Sequence, residues 1–212
     1  MAKFEEVCKR EIKWRSEEIA LLKKAVINLN ATPQMQAVLR RYVVPALYAL
    51  WEGFVTFIFG EYVAMINASK KKVRQVNVNI VRHDIINRFN LLQIPRDAER
   101  QKQLLKDLKS YFDNRIDLSP VVPTSSNVDF AQLKKILGAF GVEWPEVKKY
   151  ESDMQEFLQF RHGIAHGNME FKDVGQDRID KFSSLVNDLM YALMGKLGEH
   201  VHGRMYLTNP LG

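Results

Sequence analysis

The chain has 212 residues, 46% of them hydrophobic, which suffices for one domain with a full core or for a core with a sub-lobe. Its single cysteine, Cys8, excludes an internal disulfide framework and any cysteine-rich zinc site. The first residues, MAKFEEVCKR, lack the apolar core of a signal peptide, so we expect a cytoplasmic protein.

The helical spacing of the apolar residues predicts most of the helices. Thr32 is expected to cap the helix that begins at Pro33. Between two of the helices, VNVNIV (76–81) alternates like a strand, but we take it as an irregular piece. Loops are expected over 117–127 and from Gly167 to Gln176. The predicted helices span about 3–29, Pro33–Ala68, 83–92, Arg96–Phe112, 128–139, Trp144–Ala165 and 177–197.

Residues 42–66 could be mistaken for a membrane span, because Glu52 and Glu61 are their only charges. A carboxylate near the centre of a span costs about 2.5–3.5 kcal/mol, and Pro45 would break the first turns. We therefore predict a buried central helix and no membrane partner. The elements together predict an all-α protein, a single domain over 1–212.

This domain is expected to be a bundle of five to six helices, with residues 69–112 as a basic sub-lobe or insertion. Because the long segments share helical spacing, more than half of the residues should be helical, with at most one short hairpin.

The net charge of +6 is concentrated in that insertion. Between Lys70 and Lys109, eleven lysines and arginines face four acids, a surplus of seven. Basic segments attract phosphate backbones through counterion release. The candidate nucleic-acid-binding residues are Lys70, Lys71, Lys72 and Arg74, although a charge run is also typical of a solvated helix face.

The helix that ends in FLQFRHGIAHGN carries an arginine where its apolar stripe predicts a leucine. A guanidinium is almost never fully buried unless it is paired, so Arg161 must face a partner, an interface or a cleft. His166 lies about 140° around the helix and about 7.5 Å along its axis from Arg161. His162 precedes His166 by four residues and lies on its side of the helix.

An arginine and a histidine form a coherent catalytic pair. The arginine can bind a phosphate bidentately, and a histidine can take or give a proton near neutral pH. On RNA, these functions suffice for attack of the ribose 2′-OH on its own phosphate without a metal. Alternatively, Arg161 pairs with a buried acid and His166 is a surface residue at a helix end.

Glu52 is a second candidate, because Arg41, Tyr48, Glu52 and Thr56 form a polar stripe within about 40° of one line on their helix. Glu52 could accept a hydrogen bond from Arg161 or a histidine and so orient that side chain. Alternatively, it lies at the solvent edge of the bundle. His162 and His166 could ligate a metal, but no HExxH pattern or third ligand accompanies them. We expect no metal and no cofactor.

The run RHGIAHG (161–167) resembles the Arg-x4–6-His motif of the HEPN superfamily (higher eukaryotes and prokaryotes nucleotide-binding domain). Arg161 matches the motif arginine, His166 its histidine, and His162 the polar residue that often follows the arginine. ALYALWEGFVTFIFGEYV (46–63) and SSNVDFAQLKKILGAFGV (125–142) resemble segments of one bacterial group of HEPN nucleases. The resemblance covers most of residues 35–195.

The resemblance implies a metal-independent endoribonuclease that acts as a homodimer, with the motifs of both subunits lining one cleft. It implies a toxin or phage-defence effector, with an antitoxin or defence-system protein as partner. HEPN toxins paired with a nucleotidyltransferase antitoxin typically carry a modifiable tyrosine two residues after the histidine. Asn168 stands there in this chain. The alternative is a non-catalytic helical module that binds RNA or a protein partner.

Overall fold

A computed structural model of the protein describes residues 2–27, 31–89, 97–119, 127–168 and 173–210. The structure is 80% helical, and its described residues form seven α-helices and no β-strand, so the predicted all-α architecture is confirmed. The helices are α1 (Ala2–Ile27), α2 (Pro33–Ala68), α3 (Val78–Arg88), α4 (Ala98–Asp113), α5 (Phe130–Ala139), α6 (Glu151–Ala165) and α7 (Gln176–His202). Helices α1, α2, α6 and α7 pack together, and α5 contacts both α6 and α3. Helix α3 and most of α4 fall within residues 69–112, the predicted basic insertion.

Helix α2 is the centre of the bundle, because it packs against α1, α6 and α7. Its largest buried side chains, Trp51, Phe54, Phe59 and Tyr62, are at most 1% exposed. By length and composition alone, α2 is apolar enough to cross a membrane. Its packing against three other helices is the arrangement that the sequence predicted for a buried central helix.

Local capping explains where α2 begins, and buried side chains explain where α7 ends. The Thr32 side chain accepts a hydrogen bond from the Met35 amide at 3.3 Å, with Pro33 in the first turn, as predicted. Helix α7 continues past the expected 197 to His202, because His200 and Val201 extend its buried stripe.

Two predicted helices differ in detail. The helix expected over 83–92 begins at Val78, because the Asn77 side chain caps it by accepting from the Asn79 amide at 2.9 Å. The alternation of 76–81 therefore reflects a helix start, and residues 90–92 lie outside the described residues. The segment Pro145–Tyr150 is a 3-10 helix that leads into α6.

The base of the insertion is tied to the C-terminal segment. Val76 and Leu207 form an isolated antiparallel bridge. Next to it, the Asn77 amide donates to the Tyr206 carbonyl at 2.8 Å, and the Thr208 hydroxyl donates to the Val76 carbonyl at 2.9 Å. Residues 132 positions apart in the chain thus hold the entry to α3 in place.

Candidate active site

Tyr48 is the fixed point of the site. Its side chain is only 3% exposed, and its hydroxyl accepts a hydrogen bond from the Val128 amide at 2.6 Å. Its ring packs against Phe157 of α6 with a centroid separation of 5.8 Å. Burial raises the pKa of Tyr48 to about 12, with the negative charge of Glu52 as the next cause, so the hydroxyl stays protonated at neutral pH.

Arg161 lies on the face of this ring. Its Cζ atom is 5.0 Å from the centroid of Tyr48, and its side chain is half-buried. A guanidinium over an aromatic face gains about 0.5–1 kcal/mol at exposed sites and about 2 kcal/mol when desolvated. The sequence required a partner for Arg161, and in the described part of the chain that partner is an aromatic ring.

Glu52 lies one turn beyond Tyr48 on α2 and is half-buried. Burial raises the pKa of Glu52, and the positive charge of Arg161 partly offsets that rise. The carboxylate is therefore within electrostatic reach of Arg161. Of the other two residues in the predicted stripe, Arg41 is half-buried and Thr56 is exposed, with its hydroxyl donating to the Glu52 carbonyl at 3.1 Å.

His162 and His166 lie side by side at the end of α6. Their rings are parallel within 3°, with centroids 6.2 Å apart. His162 is half-buried and His166 is exposed. Burial lowers the pKa of His162, and the charges of Arg161 and His166 lower it further, so His162 is neutral at neutral pH.

A glycine cap fixes where His166 leaves the helix. Gly167 adopts a left-handed conformation, with φ of 69°. Its amide donates to the Ile164 carbonyl at 3.1 Å, and the Asn168 amide donates to the Gly163 carbonyl at 2.8 Å. This pair of hydrogen bonds is the Schellman motif, which satisfies the last carbonyls of a helix. His166 is thus the last residue before a defined turn.

The structure does not bring the basic segment to this site. Lys70 follows the C-terminal end of α2, whereas Tyr48 lies twenty residues before that end at Ala68, which is about 30 Å along a helix axis. Lys70 and Lys72 are exposed, Lys71 is half-buried, and Arg74 forms an ion pair with Asp113 at 3.2 Å.

Metal ligands do not cluster among the residues that the structure describes, since no group of three or more His, Cys, Asp or Glu side chains occurs there. Sequence analysis did not predict that Tyr48 contacts Arg161, and named it only as a member of a polar stripe. Its spacing of four from Glu52, in an otherwise apolar helix, was the one available sign.

Comparison with known families gives one match. The family model described as RiboL-PSP-HEPN matches residues 10–198, a span that includes the Arg161–His166 segment, Glu52 and the basic insertion. No protein with a curated description and no solved structure matches the chain.

Proposed function

The chain belongs to the RiboL-PSP-HEPN family, and from that premise we propose that it is a metal-independent endoribonuclease. Membership of a HEPN-type family indicates an RNase-type or RNA-related function. One observation carries the finer proposal: a half-buried arginine is held on an aromatic ring, one helical turn from a capped helix end that presents a pair of histidines.

In the proposed reaction, His166 accepts the proton of a ribose 2′-OH, and the 2′-oxygen attacks the adjacent phosphorus. The bond from phosphorus to the 5′-oxygen breaks, and the 5′-oxygen takes up a proton from solvent. Arg161 binds the non-bridging oxygens, where negative charge accumulates in the transition state. His162 supports His166, and Glu52 orients Arg161. The products are a 2′,3′-cyclic phosphate and a 5′-OH.

We propose that the active form is a two-fold homodimer in which the Arg161–His166 segments face each other. An apolar stripe on the first turns of α2 supports this assembly. The stripe lies at helical spacing, and its side chains are 37–62% exposed: Met35, Val38, Leu39 and Tyr42. Exposed apolar stripes of this kind ordinarily mark an interaction surface. The stripe leads along α2 towards Tyr48, and pairing of the stripe with its copy on a second chain would form a two-fold interface.

In the cell, the proposed enzyme is a cytoplasmic toxin or phage-defence effector that a partner protein restrains or triggers. Asn168 stands where HEPN toxins paired with a nucleotidyltransferase antitoxin typically carry a modifiable tyrosine, so we expect the restraint to take another form. Growth arrest on induced expression, relieved by His166→Ala, would support this setting, and growth unaffected by active enzyme would contradict it.

The direct test is cleavage of a labelled single-stranded RNA by purified protein in EDTA. We expect cyclic-phosphate ends and no cleavage of DNA of the same sequence, because only RNA supplies the 2′-OH. Cleavage that requires a divalent metal would contradict the mechanism. Wild-type protein that binds RNA and never cuts it would favour the non-catalytic binding module.

A further inference from the structure

A second cleft lies near the C-terminal end of α2, between α3 and the segment after α4, whereas Arg161 contacts the middle of α2 at Tyr48. Its volume is about 470 Å³, within the range of about 300–1,000 Å³ that is usual for ligand sites. A smaller hollow of about 50 Å³ shares four of its lining residues and extends it towards α5. The cleft is lined by Asp84, Asn87, Arg88, Asp117, Leu118 and Ser119.

The floor of the cleft is apolar and partly aromatic. The hollow reaches the side chains of Val63, Ile80 and Phe140, which are buried, and the ring of His83. The rings of His83 and Phe140 lie 6.4 Å apart, tilted by 48°. Burial lowers the pKa of His83, so its ring is uncharged at neutral pH. Such a floor suits a flat heteroaromatic ring.

The cationic side chain among the lining residues, Arg88, is held rigidly beside two acidic ones, Asp84 and Asp117. Arg88 donates from Nε to Asp84 Oδ2 at 3.1 Å and from Nη2 to the Asp117 carbonyl. Asp84 is 7% exposed and also accepts a hydrogen bond from the Tyr111 hydroxyl. The Arg88 side chain remains 40% exposed. A guanidinium fixed in this way and still accessible is suited to bind a phosphate.

The side-chain amide of Asn87 indicates which heteroaromatic rings the cleft would favour. Asn87 donates from Nδ2 to the His83 carbonyl at 3.0 Å, which identifies that atom as the amide nitrogen, since a carbonyl can only accept. Its Oδ1 atom makes no hydrogen bond within the described ranges and so remains a free acceptor on a residue that lines the cleft. An acceptor there favours a ring that carries an amino group.

The cleft also adjoins the basic segment. Leu118 on its wall is fixed by two hydrogen bonds with Asn67 near the end of α2, at 2.8 and 3.0 Å. Two residues earlier, the Ile116 amide donates to the Lys71 carbonyl at 2.8 Å. The exposed Lys70 and Lys72 therefore lie beside the cleft, where they would attract a phosphate backbone.

We propose that this cleft binds one unpaired nucleobase with its phosphate, and that it prefers adenine or cytosine, which carry an exocyclic amino group, over uracil. Asn87 accepts from the amino group, Arg88 binds the phosphate, and the ring lies over the floor beside His83. The inference rests on the proposed function, since it makes the cleft a subsite for the RNA strand, about 30 Å along α2 from Tyr48.

The test measures binding of fluorescein-labelled 2′-O-methyl hexamers of adenine, cytosine or uracil to the full-length wild-type protein. These strands have no free 2′-OH and cannot be cleaved by the proposed reaction, so binding is measured apart from catalysis. We expect the adenine and cytosine hexamers to bind about threefold to tenfold more tightly than the uracil hexamer, the value of one hydrogen bond. Equal affinity for all three would overturn the proposal.

Variants assign the preference to the cleft. Asn87→Leu should abolish it and leave the Asp84–Arg88–Tyr111 contacts in place, whereas Asn87→Asp keeps an acceptor and should retain it. Arg88→Gln should weaken all hexamers about tenfold or more. The matched control is Arg82→Gln, which removes an equal charge from an exposed position on the same helix outside the cleft and should change affinity about twofold or less. A folded Asn87→Leu protein that keeps the preference would overturn the assignment.

Two further comparisons show whether the base belongs to a free nucleotide or to an RNA strand, and distinguish a failure of the cleft proposal from a failure of the nuclease proposal. Displacement of the hexamers by AMP or CMP at micromolar concentration would identify a free nucleotide as the ligand and overturn the role on the RNA strand. A base preference without any RNA cleavage would uphold the cleft and contradict the proposed nuclease. Cleavage without a base preference would contradict the cleft alone.

Discussion

The middle of helix α2 and its C-terminal end differ in the side chains around them. Near Tyr48, in the middle, one half-buried arginine is fixed on an aromatic ring, and two histidines follow on a capped helix end. Near Ala68, at the C-terminal end, exposed lysines lie close in sequence to the residues that line an open cleft, and a cation of that cleft, Arg88, is held by a buried aspartate. About 30 Å of helix separates Tyr48 from Ala68.

The difference teaches where precision is needed. A group that stabilises a transition state loses about a hundredfold in rate when it is misplaced by 1 Å. A charge that attracts a strand acts over a Debye length of about 10 Å and tolerates a mobile side chain. Substitutions around Tyr48 should therefore lower kcat, and substitutions near the C-terminal end of α2 should weaken binding.

The largest effect should come from His166→Ala, which removes the proposed proton acceptor. We expect single-turnover RNA cleavage to fall about 10²–10⁴-fold, with unchanged affinity for an uncleavable 2′-O-methyl strand. His162→Ala should cost less, since its role is supporting. A His166→Ala protein that cleaves RNA at the wild-type rate would contradict the catalytic assignment of the Arg161–His166 segment.

Arg161→Ala should lower the cleavage rate about 10²–10³-fold, the usual cost of losing one group that stabilises developing negative charge. The control is Arg178→Ala. Arg178 also lies over an aromatic ring, with Cζ 4.5 Å from the centroid of Phe160, but it pairs with Glu156 of the same region. Its loss should change the rate only a few-fold, and equal losses in both variants would point to a structural role for Arg161.

Two substitutions at Tyr48 distinguish the role of its ring from the role of its hydroxyl. Tyr48→Phe keeps the surface under Arg161 but leaves the Val128 amide unsatisfied, at a cost of about 1–3 kcal/mol in stability. Tyr48→Leu also removes the ring, so its cleavage rate should fall about tenfold below that of the Phe variant. Similar rates in the two folded variants would show that the ring does not orient Arg161.

Charge reversal just after the C-terminal end of α2 should act through binding. Lys70→Glu with Lys72→Glu should weaken RNA binding and lower the slope of log affinity against log salt by about 0.7 for each lost phosphate contact. The matched control, Lys9→Glu with Lys13→Glu on α1, changes the net charge equally at exposed positions. Equal effects of the two double variants on RNA binding would contradict a binding role for Lys70 and Lys72. A loss of kcat in the Lys70→Glu, Lys72→Glu variant would contradict a role in binding alone.

The smallest effect concerns the cap that places His166. Gly167→Ala forces a side chain into left-handed backbone without any clash, so we expect a loss of about 1 kcal/mol in the free energy of unfolding. Gly195→Ala, inside α7 with open space around it, should instead stabilise the protein by about 0.5–1 kcal/mol. Chemical denaturation of both variants measures the difference, and two changes of the same sign would contradict the assignment of strain to Gly167.

The features that depend on neighbours along the chain could be predicted from the sequence. The Thr32-Pro33 start of α2, the apolar character of that helix and the anomalous position of Arg161 all follow from residues within one or two turns. The start of α3 is also local, but the strand-like alternation of 76–81 concealed the cap at Asn77.

The contacts between distant residues could not be predicted. Arg161 lies 113 positions after Tyr48, and their contact depends on how α6 crosses α2. The second cleft combines α3, the residues after α4 and the end of α5, none of which carries a recognisable motif. Helical periodicity shows which face of a helix is buried, but not which helix covers it.

The tie between Val76 and Thr208 has a consequence for biosynthesis. A ribosome adds about 5–20 residues per second, so roughly 7–26 s separate the synthesis of these two residues, 132 positions apart. Until Thr208 has been made and has left the ribosome, the lysine-rich segment lacks these hydrogen bonds at its base. A ribosome that stalls earlier would therefore carry a chain whose lysine-rich segment is not yet tied to the C-terminal segment.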